Sequence, residues 1–326
     1  MSLVTENLTD GWLDAVRDLP LPGGGRTWER WRRFAALGAA DLVHARLGEG
    51  HADAVAIVAE LDPQGSAPVG ALGVWAAEAP LRGVTAKGSP AGWTVDGARA
   101  WCSGAPHLDQ ALITAHAADG VRLLLVPLDT PGVSVVPGTW PAVGMAGSDS
   151  LTVRFDDVRL PAGAAVGRPG AYTGRPGFWH GAIGVAACWY GGAVGVARAL
   201  LAAASAKPEP HRLAHLGAVD SVLCSMADVL RAAAAAIDDD PLDRRGEAHR
   251  RAMRVRATVE RGCDEVLART GRATGAAPLG HDGRHSRRVA DLTTYLRQSH
   301  AEADLAAAGT LLLDSAGASA DWLPGA

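Results

Sequence analysis

Lysine is nearly absent from this sequence of 326 residues: it occurs only at Lys87 and Lys207, and the other basic residues are arginines. The formal net charge is -4, so positive charge is not in excess. Proteins whose main partner is a nucleic acid usually carry a basic face. We therefore expect no nucleic-acid partner.

Cysteine is also scarce, with four residues placed far apart at Cys102, Cys188, Cys224 and Cys263. No CxxC pair occurs, which argues against a zinc knuckle and a dense disulfide framework. The first residues, MSLVTENLTDGW, contain acidic residues and no apolar core, unlike a signal peptide. These features lead us to expect a protein of the reducing cytoplasm.

Several motifs that would indicate other chemistries are missing. The sequence contains no GxxxxGK(S/T), no GxGxxG after a strand and no GxSxG. Two HxxxH pairs, His211 with His215 and His281 with His285, would need a third ligand and usually a nearby glutamate to bind zinc, and no HExxH is present. We therefore predict no P-loop, Rossmann or α/β-hydrolase site, and no metal site.

One uncharged segment, GFWHGAIGVAACWYGGAVGVA at residues 177 to 197, is long enough to cross a bilayer. It is rich in glycine and alanine, poor in leucine and isoleucine, and lies in the middle of the chain. Its small residues are spaced four apart, which permits close helix packing. We predict a buried, closely packed helix and no membrane partner.

The hydrophobic periodicity changes twice along the chain, and the length favours more than one domain. Residues 1 to 70 show helical spacing, and residues 71 to 168 form short β-rich runs separated by Gly, Pro and Asp. Residues 169 to 326 contain four long helical patterns, including one over residues 284 to 313. The predicted class is α+β: a short N-terminal helical segment, a central antiparallel β-sandwich or barrel, and a C-terminal four-helix bundle.

Three sequence segments identify a known family. GWTVDGARAWCSGAPHLDQALITA and AVGMAGSDSLTVRFDDVRLPAGAAVG resemble the strand-turn-strand and domain-closing segments of the acyl-CoA dehydrogenase superfamily. GVWAAEAP occupies the place of that family's flavin strand. The resemblance extends from about residue 50 to residue 305 and implies a member with a shortened N-terminal helical domain.

The resemblance implies a flavin, FAD or in a monooxygenase branch FMN, held between the β domain and the helical bundle. Trp101 would lie against the isoalloxazine, and Ser103 would offer its hydroxyl and backbone N–H toward the N5 edge. The other candidate flavin contacts are Trp75, Ala77 and Arg212, the last as a substitute for the family's phosphate-binding arginine.

The chain departs from the family at the catalytic base. The family places a glutamate eight residues after the Asp of its conserved helix, and here the eighth residue after Asp291 is Ser299. The family's second location corresponds to GVAACWYGG, which contains no acid. His300, next to Ser299, is the remaining candidate for proton transfer.

Three functions remain compatible with these residues. The leading one is a flavin-dependent oxidation of an acyl thioester or related small molecule, with hydride transfer to the flavin. The second is a flavin-dependent monooxygenase of the same fold. The third is a non-catalytic subunit that has lost its flavin. The family implies a homodimer or homotetramer, or assembly with a related subunit.

Overall fold

The computed structural model describes residues 11–65, 68–77 and 83–315. Residues 1–10, on which the signal-peptide argument depends, and residues 78–80 of the flavin-strand segment lie outside the described residues. The helices are α1 (Gly11–Val16), α2 (Thr27–Ala40), α3 (Leu42–Leu61), α4 (Ala171–Gly174), α5 (Pro176–Ala206), α6 (Pro210–Asp239), α7 (Ala248–Thr274), α8 (Ala277–His281), α9 (Gly283–Tyr295) and α10 (Glu302–Ser315). The strands are β1 (Leu72–Trp75), β2 (Thr85–Ser89), β3 (Gly92–Cys102), β4 (Gln110–Ala117), β5 (Gly120–Pro127), β6 (Val133–Val136) and β7 (Leu151–Leu160). The predicted order of helices, sheet and helical domain is confirmed.

The described part of the central domain forms one seven-stranded mixed sheet of strand order β1-β4-β2-β3-β7-β6, with β5 paired to β4. The sequence predicted an antiparallel sheet, whereas the structure contains two parallel pairings, of β1 and of β2 with β4. Alternation along a strand identifies its buried face but carries no information about the direction of its neighbour. Strand β2 was missed because its sequence, TAKGS, has no apolar alternation.

Helix α5 forms the centre of the helical region and packs closely against α2. A Cβ added at Gly191 would lie 2.2 Å from the Ala35 carbonyl oxygen, and one at Gly38 would lie 2.5 Å from the Cys188 carbonyl oxygen. Only glycine permits two helix backbones to approach this closely. The small residues read from the sequence therefore bring α2 and α3 against α5.

Within the described ranges, two helices, α5 and α6, are long and apolar enough to cross a membrane by length and composition. The apolar window of α5 is 61% buried inside the protein, as predicted, whereas that of α6 is only 17% buried. The sequence interpretation identified α5 alone, because α6 carries charged residues at intervals along its length.

The long helix predicted over residues 284 to 313 is broken in the structure, where α9 ends at Tyr295 and α10 begins at Glu302. A 3-10 turn follows α9, and the Ser299 hydroxyl then accepts a hydrogen bond from the Ala301 backbone N–H. Ala301 adopts a positive φ of 47°. A serine that bonds its own backbone competes with helix continuation, so periodicity alone predicted the wrong boundary.

Candidate functional site

The end of β3 places a bulky aromatic side chain in an unusual backbone conformation. Trp101 has φ 60°, and its side chain is large, apolar and 49% exposed. The pairing of β3 with β7 shifts register between Arg99 and Cys102, so a bulge turns the chain here. A left-handed non-glycine residue with an exposed indole is costly without a ligand, and such strain concentrates at functional sites.

Trp75 and Ala77 support this turn from inside the sheet. The Trp75 indole is buried, and its Nε1–H donates to the Ser103 carbonyl oxygen at 3.1 Å. The buried Arg99 guanidinium donates from Nη1 to the Ala77 carbonyl oxygen at 2.6 Å. These contacts fix the turn relative to β1, so Trp75 and Ala77 position it through indole and backbone contacts.

Three serine hydroxyls form a chain behind the turn. The Ser148 hydroxyl donates to the Met145 carbonyl oxygen at 2.8 Å and lies 2.9 Å from the Ser150 hydroxyl. The Ser150 hydroxyl lies 2.8 Å from that of Ser103. All three serines are buried.

Counting hydrogens sets the direction of this chain. A hydroxyl has one hydrogen, so Ser148, having donated to a carbonyl, accepts from Ser150, and Ser150 in turn accepts from Ser103. The backbone N–H of Ser103 donates to the Trp101 carbonyl oxygen at 3.0 Å. Both donors that the sequence led us to expect at Ser103 are thus used inside the protein, and its hydroxyl retains lone pairs that can only accept.

The wall facing this turn is α3, and its charged residues were not identified as functional from the sequence. Arg46 and Gly50 line a narrow cavity of about 10 Å³ together with residues 72 to 75 of β1 and with Ser103. Arg46 Nη1 donates to Glu49 Oε2 at 3.0 Å, and both side chains are largely buried. The sequence does contain a signal for them. Arg46, Glu49 and Asp53 are spaced three and four residues apart, so they place three charges on one face of a largely apolar helix.

The α3 carboxyls are held in an environment that disfavours their charge. Burial raises the pKa of Glu49 to about 7, although Arg46 opposes the shift. Burial likewise raises the pKa of Asp53, opposed by Arg175 and Arg30. Glycine on α5 makes room for this carboxyl, since a Cβ at Gly181 would lie 2.7 Å from Asp53 Oδ1.

The two candidates for proton transfer lie at the break between α9 and α10. The Ser299 hydroxyl donates to Glu260 Oε2 at 2.6 Å and is buried. The His300 side chain is 78% exposed, and its Nδ1 lies 3.2 Å from Asp304 Oδ1. His300 therefore faces solvent and not the interior between α3 and the turn.

Arg212 lies at the start of α6, where its guanidinium is already engaged. Its Nη1 donates to the carbonyl oxygens of Ala203 and Lys207 at 3.3 and 2.7 Å. These bonds fasten the corner between α5 and α6. The contact of Arg212 with a flavin phosphate stays a prediction. It would require the guanidinium to give up its bonds to these two carbonyl oxygens.

A larger cleft of about 490 Å³ lies elsewhere, between the α2–α3 corner, α5 and the first turns of α9. Arg284, Arg287 and Arg288 line it, together with Asp41 and Asp291. None of the candidate residues from the sequence lies in this cleft.

The residues of the turn fit a flat, polar ring of the flavin type. The exposed Trp101 indole offers an apolar face, and the Ser103 hydroxyl offers a hydrogen-bond acceptor within three residues of it. Among the described residues no group of three or more His, Cys, Asp or Glu side chains could hold a metal ion.

The chain shares sequence with known proteins over its central part. The family model for the acyl-CoA dehydrogenase middle domain matches residues 76–158. An amino sugar nitrososynthase of Streptomyces rubradiris is 39% identical over 82 residues, which are 24% of this chain and 19% of that protein. The curated relatives it matches are aligned over 19% to 31% of their own length.

Solved structures resemble the chain over most of its length. TdsC, a dibenzothiophene monooxygenase of a Paenibacillus species solved with FMN and indole, has a TM-score of 0.78 at 21% identity, covering 88% of this chain and 84% of TdsC. A glutaryl-CoA dehydrogenase of Mycobacterium smegmatis, solved with FADH2, has a TM-score of 0.78 at 16% identity, covering 96% of this chain and 92% of that enzyme. At these identities the likeness shows the fold.

The middle-domain match, the aligned relatives and the shared fold agree with the sequence segments around Trp101 and in FDDVRLP. The chain therefore contains a segment, residues 76–158, that matches the acyl-CoA dehydrogenase middle domain, and it shares the acyl-CoA dehydrogenase fold.

Proposed function

We propose that the chain is a flavin-dependent monooxygenase of a small polar molecule. The observation that carries this proposal is the direction of the serine chain, which leaves Ser103 as a hydrogen-bond acceptor. Oxidised flavin, the form that a dehydrogenase uses, accepts a hydrogen bond at N5 and is stabilised by a donor there. Reduced flavin carries a hydrogen on N5 and is stabilised by an acceptor. Reduced flavin supplies the two electrons with which molecular oxygen is activated.

The surroundings of the site support the same reading over acyl thioester oxidation. An α-proton is removed from a thioester by a desolvated base, and the family position for that base holds Ser299, bonded to Glu260. His300 faces solvent. The α3 wall carries an ion pair, and a buried charged wall is a poor lining for an apolar acyl chain.

The similar proteins also favour oxygenation over the dehydrogenation that leads the sequence interpretation. TdsC is described as a monooxygenase and was solved with FMN, and the S. rubradiris relative is an amino sugar nitrososynthase. We therefore propose FMN before FAD, since the Arg212 guanidinium proposed for the longer cofactor's phosphates is engaged at the α5–α6 corner.

Two assays on the purified chain test this proposal. Titration with FMN, followed at 450 nm and by tryptophan fluorescence, should show binding, and failure of both FMN and FAD to bind would favour the non-catalytic subunit. With bound flavin reduced anaerobically, addition of oxygen should reoxidise it and consume oxygen. Anaerobic bleaching of oxidised flavin by an acyl-CoA such as butyryl-CoA would instead support the dehydrogenase.

Assembly into a homo-oligomer belongs to the proposal as well. It is supported by α6, whose apolar window is only 17% buried within one chain. Light scattering on the eluted protein should give the mass of a dimer or tetramer, and a monomer would contradict it.

A further inference from the structure

The interior between α3, α5 and α9 contains polar groups that lack partners. The Nε–H of Arg46 and the Nε1–H of Trp189 are buried with no hydrogen-bond partner among the described residues, and the buried Tyr295 hydroxyl has only the Cys188 thiol. Buried donors of this kind are rare in folded proteins, and each one calls for an explanation. Here three of them occur on three helices that pack together.

The three groups share one neighbourhood. The rings of Trp189 and Tyr295 pack edge to face with centroids 6.3 Å apart. Tyr295 interacts electrostatically with both Arg46 and Glu49, and the Cys188 thiol beside it is only a weak partner. Arg46 in turn borders the cavity that contains Ser103. Of the three, Arg46 is the one that borders the flavin-type turn.

Arg46 is the strongest of these donors. A guanidinium has five N–H groups in a planar fork, and the bond to Glu49 uses one of them. Its matched partner is a planar oxyanion that accepts two parallel hydrogen bonds. Glu49 accepts from Nη1 only, so Arg46 can receive a second carboxylate without losing the first.

The size of the space restricts what reaches this arginine. The cavity beside Arg46 holds about 10 Å³, room for about one water-sized group. A chain of several carbons would not enter without displacing Leu72 or Leu108, which also line it. A small terminal group at the end of a substrate is the fitting occupant.

We propose that Arg46, oriented by Glu49, binds the carboxylate of a small organic acid and thereby selects the substrate of the flavin site. This inference rests on the proposed function, because it names the substrate class of that same site. A substrate without a carboxylate would leave the Arg46 Nε–H unpaired, and a site built for hydrogen bonding rejects ligands that lack the acceptor.

Calorimetric titration of the full chain, with and without FMN, tests the acid preference directly. The probes are acetate and benzoate, their neutral counterparts acetamide and benzamide, and inorganic phosphate. We expect at least one acid to bind about tenfold more tightly than its amide. Equal affinity of acid and amide, absence of acid binding, or tighter binding of phosphate would overturn the proposal.

Two variants separate recognition from folding. Arg46→Gln should abolish the acid preference and leave amide binding unchanged. Glu49→Gln keeps Arg46 and a hydrogen-bond acceptor but removes the competing charge, so acid binding should strengthen by about threefold or more. If both variants weakened acid binding equally, the pair would be structural and the proposal would fail. If Arg46→Gln did not fold, the result for Glu49→Gln would decide.

Arg26→Gln is the matched control. Arg26 also pairs with a glutamate three residues later, Glu29, but it is 65% exposed. This variant should leave acid binding unchanged. These titrations need neither oxygen nor turnover, so the two proposals can fail separately. Acid binding that depends on Arg46, without oxygen consumption, would contradict the monooxygenase and keep the carboxylate site. Oxygen consumption without acid binding would contradict the carboxylate site and keep the monooxygenase.

Discussion

The two walls of the candidate site are built on opposite principles. On the β side, Ser103, Ser150 and Ser148 are neutral, and each passes its hydrogen to the next until the chain ends at a carbonyl. On the α3 side, Arg46 and Glu49 are ionisable and buried, and Arg46 keeps an N–H without an acceptor. A satisfied wall fixes geometry, whereas an unsatisfied wall has the most to gain from a ligand.

Breaking the ion pair on the α3 wall should have the largest effect. Glu49→Leu leaves the buried Arg46 charge without its partner, and we expect it to reduce the free energy of unfolding by about 3–5 kcal/mol. The double variant Arg46→Met/Glu49→Leu should recover most of that loss, since an apolar pair carries no buried charge. Urea unfolding followed by circular dichroism measures both. A single variant within about 1 kcal/mol of the parent would mean that the pair is hydrated.

The α3 wall should also make stability depend on pH. The pKa of Glu49 is raised from near 4.5 to about 7, so the folded protein binds more protons than the unfolded chain between these values. Stability from this group is therefore full below pH 4.5 and falls as pH rises to 7, by about 3 kcal/mol. The difference between parent and Glu49→Gln isolates this group.

That subtraction is needed because several histidines, among them His51 and His180, act in the opposite direction. Burial lowers the pKa of His51 and of His180, so their stabilising contribution is lost as pH falls. Unfolding curves at several values between pH 4.5 and 8 should show a smaller decline in Glu49→Gln than in the parent. Parallel curves for the two proteins would count against a titrating Glu49.

On the β wall, Ser150→Ala should have an intermediate effect. The change removes the acceptor of the Ser103 hydroxyl and the donor to Ser148, which keeps its bond to the Met145 carbonyl oxygen, and should cost about 1–3 kcal/mol. It also frees the Ser103 hydrogen to point toward a flavin, which favours the oxidised form. We expect the midpoint potential of bound FMN to fall by about 30 mV, equivalent to about 1.4 kcal/mol. Ser134→Ala, at an exposed position of β6, is the control and should change neither quantity. An unchanged midpoint potential in Ser150→Ala would contradict the assigned direction of the hydrogen bonds from Ser103 to Ser150 and Ser148.

The smallest effect on stability is expected at the exposed turn residue. Trp101→Gly relieves the strain of a bulky residue in a left-handed backbone conformation. This relief stabilises the folded state by about 1 kcal/mol and offsets the loss of the packing of the indole. Unfolding should therefore change by about 1 kcal/mol or less. FMN affinity should nevertheless fall by about tenfold, because an aromatic face is lost. Strong destabilisation with unchanged FMN binding would make Trp101 a structural residue.

Much of the fold was accessible from the sequence because local patterns encode it. The buried faces of α2 and α5, most strands and the turn at Trp101 follow from periodicity, small-residue spacing and the family segments. Strand β2 and the parallel pairing of β1 with β4 did not, because pairing direction is decided by contacts distant in sequence.

The candidate site was only half accessible for a similar reason. Ser103 stands inside a recognisable segment, but the direction of its hydrogen bond depends on Ser148 and Ser150, 45 and 47 residues further along the chain. Arg46 and Glu49 look like ordinary charges on a helix surface, but both side chains are largely buried in the folded protein. Burial of a charge is a property of tertiary packing, so no local pattern assigns it.

The central claim, that Ser103 accepts a hydrogen bond from a reduced flavin, is tested most directly by comparing the affinities of the two redox forms of FMN. Anaerobic titrations of the flavin-free protein with oxidised and with reduced FMN, read by tryptophan fluorescence, give both dissociation constants. The account predicts that reduced FMN binds more tightly, by about tenfold. Equal affinities, or tighter binding of oxidised FMN, would contradict it.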